Sequence, residues 1–398
     1  MKNKSIAVLM IVFLVNPVMG IACSMYKITK NGKTIVGNNE DFLSPNNQFW
    51  FEVAGDKEFS VMYMGQLNNF AQGAINEVGL VFDGFYAPEL PIENTEGKEK
   101  LPIGKAIRNI MQTMSTVEEV KAYLETIDLS ALSSSMVVFV DKSGTYLIVE
   151  GDLLIIGEES EKSFSNFYYS QIQSVEEVTL PWFQAGQEFL NTTRGKATLD
   201  YCSNAMKSMK QKSSDLFSTQ YSTIYDLTTL KIRVYLYQDF TEFVELDLMK
   251  ELKKGNHKIM MVDLFPKESL GSRFYYKYND VDNPVLFLQE QINPEGYSEK
   301  ELVNMEFNET INILGYEWLD HKKNPEVAIK VFQFGISLMP NDYDLYDSLG
   351  EAYLENKDWN NSIKNYAKSL TLNPENENAI EAILKCQEGR DKLKVDNR

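Results

Sequence analysis

The stretch that begins at residue 24 alternates between apolar and polar residues, which is the pattern of a β-strand with one buried face. Residues 24–29 show this alternation, Asn31-Gly32 is a typical two-residue turn, and residues 34–36 begin a return strand. The pattern predicts a β-hairpin. Because the second arm of a hairpin returns beside the first, we expect Asp41 to lie close to residue 23.

Further along the chain, strand and helix patterns are interspersed. Two helices of 3.6-residue periodicity are predicted at residues 102–114 and 117–127. Short apolar runs bounded by turn residues predict strands at the following positions: 136–140, 145–149, 153–156, 224–225 and 232–237. Strand runs separated by helix pairs favour an α+β protein in which two sheets are faced by helices.

The N-terminal residues have the pattern of an export signal. Lys2 and Lys4 precede an apolar run at residues 6–15, and small residues at Gly20 and Ala22 fit a cleavage site before Cys23. We therefore predict a signal peptide at 1–22 and a periplasmic or extracellular protein. The run is shorter than the ~20 residues of a membrane helix, and no other run approaches that length, so no integral membrane span is expected.

The C-terminal part contains a repeated helical pattern about 34 residues in period, which is typical of tetratricopeptide repeats. The better copy has Leu349-Gly350, Tyr353, Ser362, Tyr366, Ser369 and Pro374, and a looser copy has Leu314-Gly315, Ala328, Phe332 and Pro340. A last helix, at about 375–393, is polar on much of its surface and is predicted to cap the array. The sequence thus predicts an all-α, tetratricopeptide-like module at 301–398, connected through a charged, aromatic segment at 269–300.

Repeats of this kind bury little surface alone and stack on neighbours. Two roles remain open for the module. In the first, it binds a protein partner or mediates self-association. In the second, it docks on the preceding domain and forms part of the rim of the active site. Neither role involves chemistry.

Composition excludes several functions. The chain has 398 residues with 39 Lys+Arg and 57 Asp+Glu, a net charge of −18, which argues against binding to nucleic acid. Its 3 Cys and 2 His lie in no metal-binding spacing, so no metal and no other cofactor is expected. A nucleophile that depends on histidine is disfavoured for the same reason.

Cleavage after Ala22 would make Cys23 the first residue, and three interpretations follow. Cys23 is a lipid-anchored cysteine, although Gly20 stands where a lipobox has a larger aliphatic residue. Alternatively, it is a buried structural residue. In the third interpretation it is an N-terminal nucleophile whose own α-amine serves as general base, an arrangement that needs no histidine.

Four segments in order resemble the choloylglycine hydrolase and penicillin V acylase family, whose members hydrolyse linear amides with an N-terminal cysteine. They are Cys23 followed by Gly37-x-Asn39-x-Asp41; Asn76-Glu-Val-Gly79-Leu80; Ser163-Phe-Ser-Asn166; and Tyr221-Ser222-Thr-Ile-Tyr225-Asp226. The resemblance runs from Cys23 to about residue 265. It implies a four-layer αββα sandwich over 23–268.

The resemblance also implies roles for individual residues. Cys23 attacks the amide carbonyl, Asp41 positions the Cys23 amine, and Asn166 donates its side-chain amide to the oxyanion. The candidate substrate-binding residues are Phe85, Tyr86 and Asn39, with Asn39 also able to brace the Asp41 turn. The wider set of aromatic residues that would line a pocket is Phe82, Phe85, Tyr86, Phe167, Tyr168 and Tyr169.

The sequence departs from the family at two places. Asn38 occupies the position of a family arginine, and the family's second oxyanion asparagine falls near Phe85-Tyr86. Arg194, Arg233 and Arg273 are the candidates for a late family arginine.

The favoured function is therefore an exported enzyme that cleaves an N-acyl amide through a Cys23 thioester. Two alternatives remain: a lipid-anchored, inactive scaffold whose repeats bind a partner, and an acyltransferase on the same fold.

Overall fold

The computed structural model describes residues 23–55, 57–211 and 218–396. The predicted signal peptide at 1–22 lies outside the described residues. The strands are β1 Ser24–Lys30, β2 Lys33–Phe42, β3 Asn47–Glu52, β4 Val61–Gln66, β5 Ala71–Asn76, β6 Val81–Tyr86, β7 Glu99–Lys100, β8 Ile127–Asp128, β9 Ser135–Val140, β10 Tyr146–Glu150, β11 Leu153–Gly157, β12 Glu161–Ser165, β13 Ser218–Asp226, β14 Lys231–Leu236, β15 Val244–Asp247 and β16 His257–Met260.

The α-helices are α1 Ile103–Thr113, α2 Val117–Leu124, α3 Pro181–Thr192, α4 Leu199–Ser208, α5 Leu248–Leu252, α6 Leu270–Tyr278, α7 Leu286–Ile292, α8 Glu299–Asn304, α9 Phe307–Tyr316, α10 Pro325–Leu338, α11 Tyr343–Glu355, α12 Trp359–Leu372 and α13 Glu377–Asp396. Short 3₁₀ turns occur at Ser130–Leu132, Tyr169–Gln171, Val175–Glu177, Met261–Leu264 and Pro294–Gly296, and a π turn follows α9 at Glu317–His321.

Two large sheets form the N-terminal part. The first has six strands in the order β12-β1-β2-β13-β14-β15, and the second has eight in the order β11-β10-β9-β6-β5-β4-β3-β16. Neighbouring strands in both sheets are antiparallel. In the β1–β2 hairpin, Lys30 pairs with Lys33 and Ser24 with Asn39, so the register follows directly from the turn at Asn31-Gly32.

The inner faces of the two sheets pack together, and helices cover both outer faces. Successive side chains of a strand point to opposite faces, and β1 shows this clearly. Met25 belongs to the core between the sheets, whereas Tyr26 belongs to the core under α3 and α4. On the second sheet, α1 and α2 cover the outer face. The result is a mixed α/β arrangement of four layers.

The C-terminal part is helical and packs on the first part. Leu43 and Tyr237 share one core with the helices from α6 to α11, and the Tyr237 ring stacks on Phe274 with centroids 4.2 Å apart. Asn46 donates hydrogen bonds to Asn279 and to the buried carboxyl of Glu317. The helices therefore form a continuation of the fold and are in direct contact with the end of β2.

Two glycines set the spacing of the C-terminal helices. A Cβ atom on Gly315 would lie 2.3 Å from the Phe332 ring, and one on Gly350 would lie 2.9 Å from the Tyr366 ring. Because only a glycine fits under these rings, α9 can approach α10, and α11 can approach α12. The two contacts are equivalent and lie one sequence period apart.

Most predicted elements are present. The hairpin, both predicted helices and the strands near 136–156 agree with β1, β2, α1, α2, β9, β10 and β11. The prediction of a strand at 224–225 was too short, since β13 begins at Ser218. Its first half is rich in Ser, Thr and Gln and therefore lacks the apolar run from which a strand would be predicted, although the strand is buried on both faces. The predicted connecting segment contains α6 and α7.

Within the described residues, none of the helices combines the length and the apolar character that a membrane crossing requires.

Candidate active site

Three functional groups meet between the two sheets because of strand register and pleat. Continuing the β1–β2 register by one residue places Cys23 opposite Glu40. Val81 of β6 faces the core between the sheets, so Asp83, two residues later, faces the same side. Cys23, Glu40 and Asp83 are all buried, with 3%, 1% and 1% of their surface exposed.

The Cys23 thiol contacts a carboxylate. Its Sγ donates a hydrogen bond to Glu40 Oε2 at 3.3 Å, and the backbone N–H of Asp41 points at the sulfur. Burial raises the pKa of the Cys23 thiol well above its ordinary value, and the charges of Glu40, Asp41 and Asp83 raise it further. The thiol is therefore protonated at neutral pH and needs a proton acceptor in order to react as a nucleophile.

Glu40 and Asp83 form a pair of neighbouring carboxyls. They lie within hydrogen-bonding reach of each other, and Asn38 Nδ2 donates to Glu40 Oε1 at 2.9 Å. Burial raises the pKa of Glu40 to about 7, and burial together with the charge of Glu40 raises the pKa of Asp83 well above its usual range. Two buried carboxyls this close cannot both ionise at neutral pH, so they share a proton.

Asp41 lies beside Cys23, as the hairpin pattern predicted. Its carboxyl is fully buried, and it acts on the Cys23 sulfur both through its charge and through its backbone N–H. The residue that faces the thiol with its side chain is the preceding one, Glu40. The pleat explains the difference, because adjacent residues of a strand point to opposite faces.

Asn166 lies at the other side of Cys23. Ser165 of β12 pairs with Ser24, and its hydroxyl donates to the Cys23 carbonyl at 2.8 Å, so Asn166 follows directly opposite Cys23. Its side-chain Nδ2 donates to the Tyr86 carbonyl at 2.7 Å. The side chain thus links the end of β12 to the end of β6, next to the nucleophile.

A cavity of about 520 Å³ opens in front of Cys23 and Glu40. Its walls are mostly apolar and aromatic, with a stacked Trp50–Tyr63 pair at 5.4 Å. An ion pair between Arg108 and Glu52 also lies in the wall. The apolar and aromatic residues that line it are Phe42, Trp50, Tyr63, Phe70, Ala71, Phe82, Phe85, Tyr86, Ile103, Ile107, Ala131, Leu132 and Val137. This volume and lining are typical of a site for a small, largely apolar ligand.

The predicted substrate-binding residues divide into two groups. Phe85 and Tyr86 line the cavity, as does Phe82. Asn39 does not: its Nδ2 donates to Ser24 Oγ and Met206 O, and its Oδ1 accepts from Ser222 Oγ. Because its side chain points from β2 toward α4, Asn39 ties the sheet to the helix and is placed away from the cavity.

The aromatic run at 167–169 is packed into the protein outside the cavity lining. Phe167 contacts Phe183, and Tyr168 donates to the Pro88 carbonyl.

The candidate arginines are also placed elsewhere. Arg233 pairs with Asp200 and Glu245, and neither it nor Arg194 nor Arg273 lines the cavity.

Sequence reasoning missed Glu40, Asp83 and Arg108. The hairpin register gave a usable signal for Glu40, because the turn at Asn31-Gly32 fixes residue 40 opposite residue 23. Asp83 carried a weaker signal, as an acid inside the apolar run Val81-Phe82-Asp83-Gly84-Phe85. Nothing in the sequence marks Arg108, which reaches the cavity from α1.

Comparisons with known proteins find similarity only among solved structures. No protein-family model matches the chain, and no curated protein matches it. Among solved structures, the chain is similar to penicillin V acylase from Agrobacterium tumefaciens, with 16% sequence identity and a TM-score of 0.44. The similarity covers 60% of this chain and 91% of that chain.

Proposed function

We propose that this protein is an amide hydrolase that uses Cys23 to cleave a linear C–N amide bond of an N-acyl compound. The observation that carries the proposal is the position of Cys23. Its thiol lies in the wall of a largely apolar cavity of about 520 Å³ and is hydrogen-bonded to a carboxylate. A nucleophile with a proton acceptor in contact, facing a cavity, is the arrangement that covalent catalysis requires.

The apolar lining favours an apolar acyl group as the part of the substrate that enters the cavity. The Cys23 sulfur attacks the carbonyl carbon, the amine leaves, and water hydrolyses the thioester. Two groups can accept the thiol proton: the α-amine of Cys23, once residues 1–22 are removed, and the carboxylate of Glu40. Asn166 is the proposed oxyanion donor, and Asp41 the proposed partner of the α-amine.

The proposal extends to the architecture. Residues 23–268 form an N-terminal-nucleophile type αββα domain, and residues 301–398 form tetratricopeptide-like repeats that follow the segment at 269–300. The equivalent Gly315–Phe332 and Gly350–Tyr366 contacts support the repeat assignment. Contacts of Asn46 with Asn279 and Glu317 favour docking of the repeats on the hydrolase domain.

Hydrolysis is tested with a panel of N-acyl amides that carry aliphatic and aromatic acyl groups, with detection of the released amine. The matched variants are Cys23→Ala and Cys202→Ala, which remove one buried thiol each; Cys202 lies in α4 outside the cavity. We expect hydrolysis by the wild type and by Cys202→Ala, and none by Cys23→Ala. Equal activity of both variants would refute the role of Cys23.

Export and processing are tested by intact mass and N-terminal sequencing of protein from an exporting host. A chain that begins at an unmodified Cys23 is the expected result. A diacylglyceryl mass on Cys23 would contradict the hydrolase and favour the lipid-anchored scaffold, because the Cys23 sulfur would then be alkylated and could not attack a carbonyl.

A further inference from the structure

Glu40 lies beside the nucleophile and lines the same cavity. Its Oε2 accepts the thiol hydrogen of Cys23 at 3.3 Å, and its side chain also lines the cavity. The carboxyl is held in place on its other oxygen by Asn38, whose own Oδ1 accepts from Thr223. Glu40 can therefore exchange a proton both with the Cys23 sulfur and with a molecule bound in front of it.

We propose that Glu40 is the catalytic proton acceptor and donor for Cys23, and that Asp83 is a positioning residue that holds Glu40 in the state required for this role. The proposal rests on the function proposed above and selects Glu40, of the two candidate proton acceptors named there, as the group that serves the Cys23 thiol.

The proton balance of the reaction is complete with these groups. As the S–C bond forms, the thiol proton passes to Glu40 Oε2 and the carbonyl oxygen becomes the oxyanion. When the oxyanion collapses, the C–N bond breaks and Glu40 returns the proton to the leaving amine. Water then attacks the thioester and gives a proton to Glu40; on release of the acid, that proton returns to the sulfur. Water is the only co-reactant.

The electrostatic surroundings are suited to a base that works near neutrality. Burial raises the pKa of Glu40 to about 7, and general bases are most effective when their pKa is close to the working pH. The titratable groups that face Glu40 are the Cys23 thiol before β1, the Asp83 carboxyl of β6 and the phenols of Tyr221 and Tyr225 of β13. The Asp41 carboxyl follows Glu40 on the same strand and points to the opposite face. Arg108 and Lys258 lie elsewhere in the cavity wall.

Asp83 influences Glu40 without reaching the sulfur in a hydrogen bond. Because the two carboxyls share a proton, a protonated Asp83 can donate to an ionised Glu40, which leaves Glu40 as the acceptor beside the thiol. Asp83 acts through Glu40, so its removal should move the pH dependence of the reaction and leave the nucleophile in place.

The test uses the pH dependence of Cys23 alkylation by iodoacetamide, a small uncharged reagent, followed by mass spectrometry of the Cys23 peptide. It needs no substrate. For the wild type we expect the rate to rise through about pH 7, where Glu40 ionises. Glu40→Gln should slow alkylation at pH 7 by at least about 10-fold, which is within the range expected for the loss of a general base. The increase of the alkylation rate with pH should also occur at higher pH than in the wild type.

If Glu40 acted on the thiol only as a negative charge, Glu40→Gln would lower the thiol pKa and make alkylation at pH 7 faster. A faster or unchanged rate therefore overturns the proposal. Asp83→Leu removes the donor that stabilises ionised Glu40, so we expect the plateau rate to be kept while the rise in alkylation rate moves to higher pH. An unmoved profile would refute the positioning role.

Two controls separate these effects from misfolding. Glu251→Gln makes the same chemical change at a buried carboxyl whose partners are Lys254 and His257, and its profile should match the wild type. Cys202, fully buried in the same protein, should stay unlabelled in each folded variant.

The same variants distinguish this proposal from the function proposed above. If Cys23 labelling depends on Glu40 but no amide is hydrolysed, the assignment of the protein as an amide hydrolase fails. The role of Glu40 as the proton acceptor of Cys23 is then supported. If hydrolysis requires Cys23 but its rate and pH profile are unchanged in Glu40→Gln, the protein is an amide hydrolase. The role of Glu40 as proton acceptor is then refuted.

Discussion

The carboxyl pair beside Cys23 should make the protein less stable as the pH rises, and Glu40→Gln should remove much of that effect. Burial raises the pKa of Glu40 from 4.5 to about 7 in the folded protein. Between these pH values the folded state binds more protons than the unfolded state, so the free energy of unfolding falls with increasing pH. The contribution of Glu40 is complete below its unfolded pKa and is lost as the pH passes about 7.

The size of the effect follows from the shift. At about 1.4 kcal/mol per pKa unit, a change from 4.5 to about 7 corresponds to about 3 kcal/mol lost between pH 4 and pH 8. Asp83 acts in the same direction, because its pKa is raised as well. A glutamine at position 40 cannot ionise and keeps the hydrogen-bonding capacity of a protonated glutamate.

Urea unfolding of the wild type and of Glu40→Gln at pH 4 and pH 8, monitored by tryptophan fluorescence, measures the difference. The stability of Glu40→Gln relative to the wild type should increase by about 3 kcal/mol from pH 4 to pH 8. The loss of the Glu40 charge also lowers the pKa of Asp83 and of Cys23, and the change at Asp83 adds to the difference in the same direction. Titrating groups that do not contact Glu40 affect both proteins alike and cancel. Parallel pH dependences in the two proteins would refute the claim that Glu40 is forced to ionise in a buried site.

Two further predictions concern the oxyanion donor and the helical region. Asn166→Ala should lower kcat by about 10²–10³-fold, as loss of one oxyanion donor does, with Cys23 alkylation unchanged; a kcat near wild type would remove Asn166 from the mechanism. Gly315→Ala places a Cβ 2.3 Å from the Phe332 ring and should destabilise the protein by about 1–3 kcal/mol in urea unfolding. Gly104→Ala in α1, where a Cβ meets nothing within 4 Å, is its control; equal stability of both variants would contradict the close helix contact.

The hairpin and the sheet core were predictable because their signals are local. Asn31-Gly32 fixes the turn, and alternation in β1 assigns Met25 and Tyr26 to opposite faces. The same two facts place residue 40 opposite residue 23. The hairpin pattern was used to place Asp41, one residue further, near residue 23, and the carboxyl that contacts the thiol was not predicted.

Asp83 and Arg108 were not predictable in the same way. They reach the site from β6 and α1, and their proximity to Cys23 and the cavity depends on how the two sheets and α1 pack, which no local pattern encodes. Arg233 illustrates the converse case. Its sequence position made it a candidate, but tertiary packing pairs it with Asp200 and Glu245 outside the cavity.

The central claim is that Cys23 forms a thioester with the acyl group of an N-acyl amide. The most direct measurement is the mass of the Cys23 peptide after rapid acid quenching of the enzyme during turnover. We predict an added mass equal to that of the acyl group on Cys23, and no such adduct in Cys23→Ala. Turnover without any adduct, and with full activity of Cys23→Ala, would contradict it.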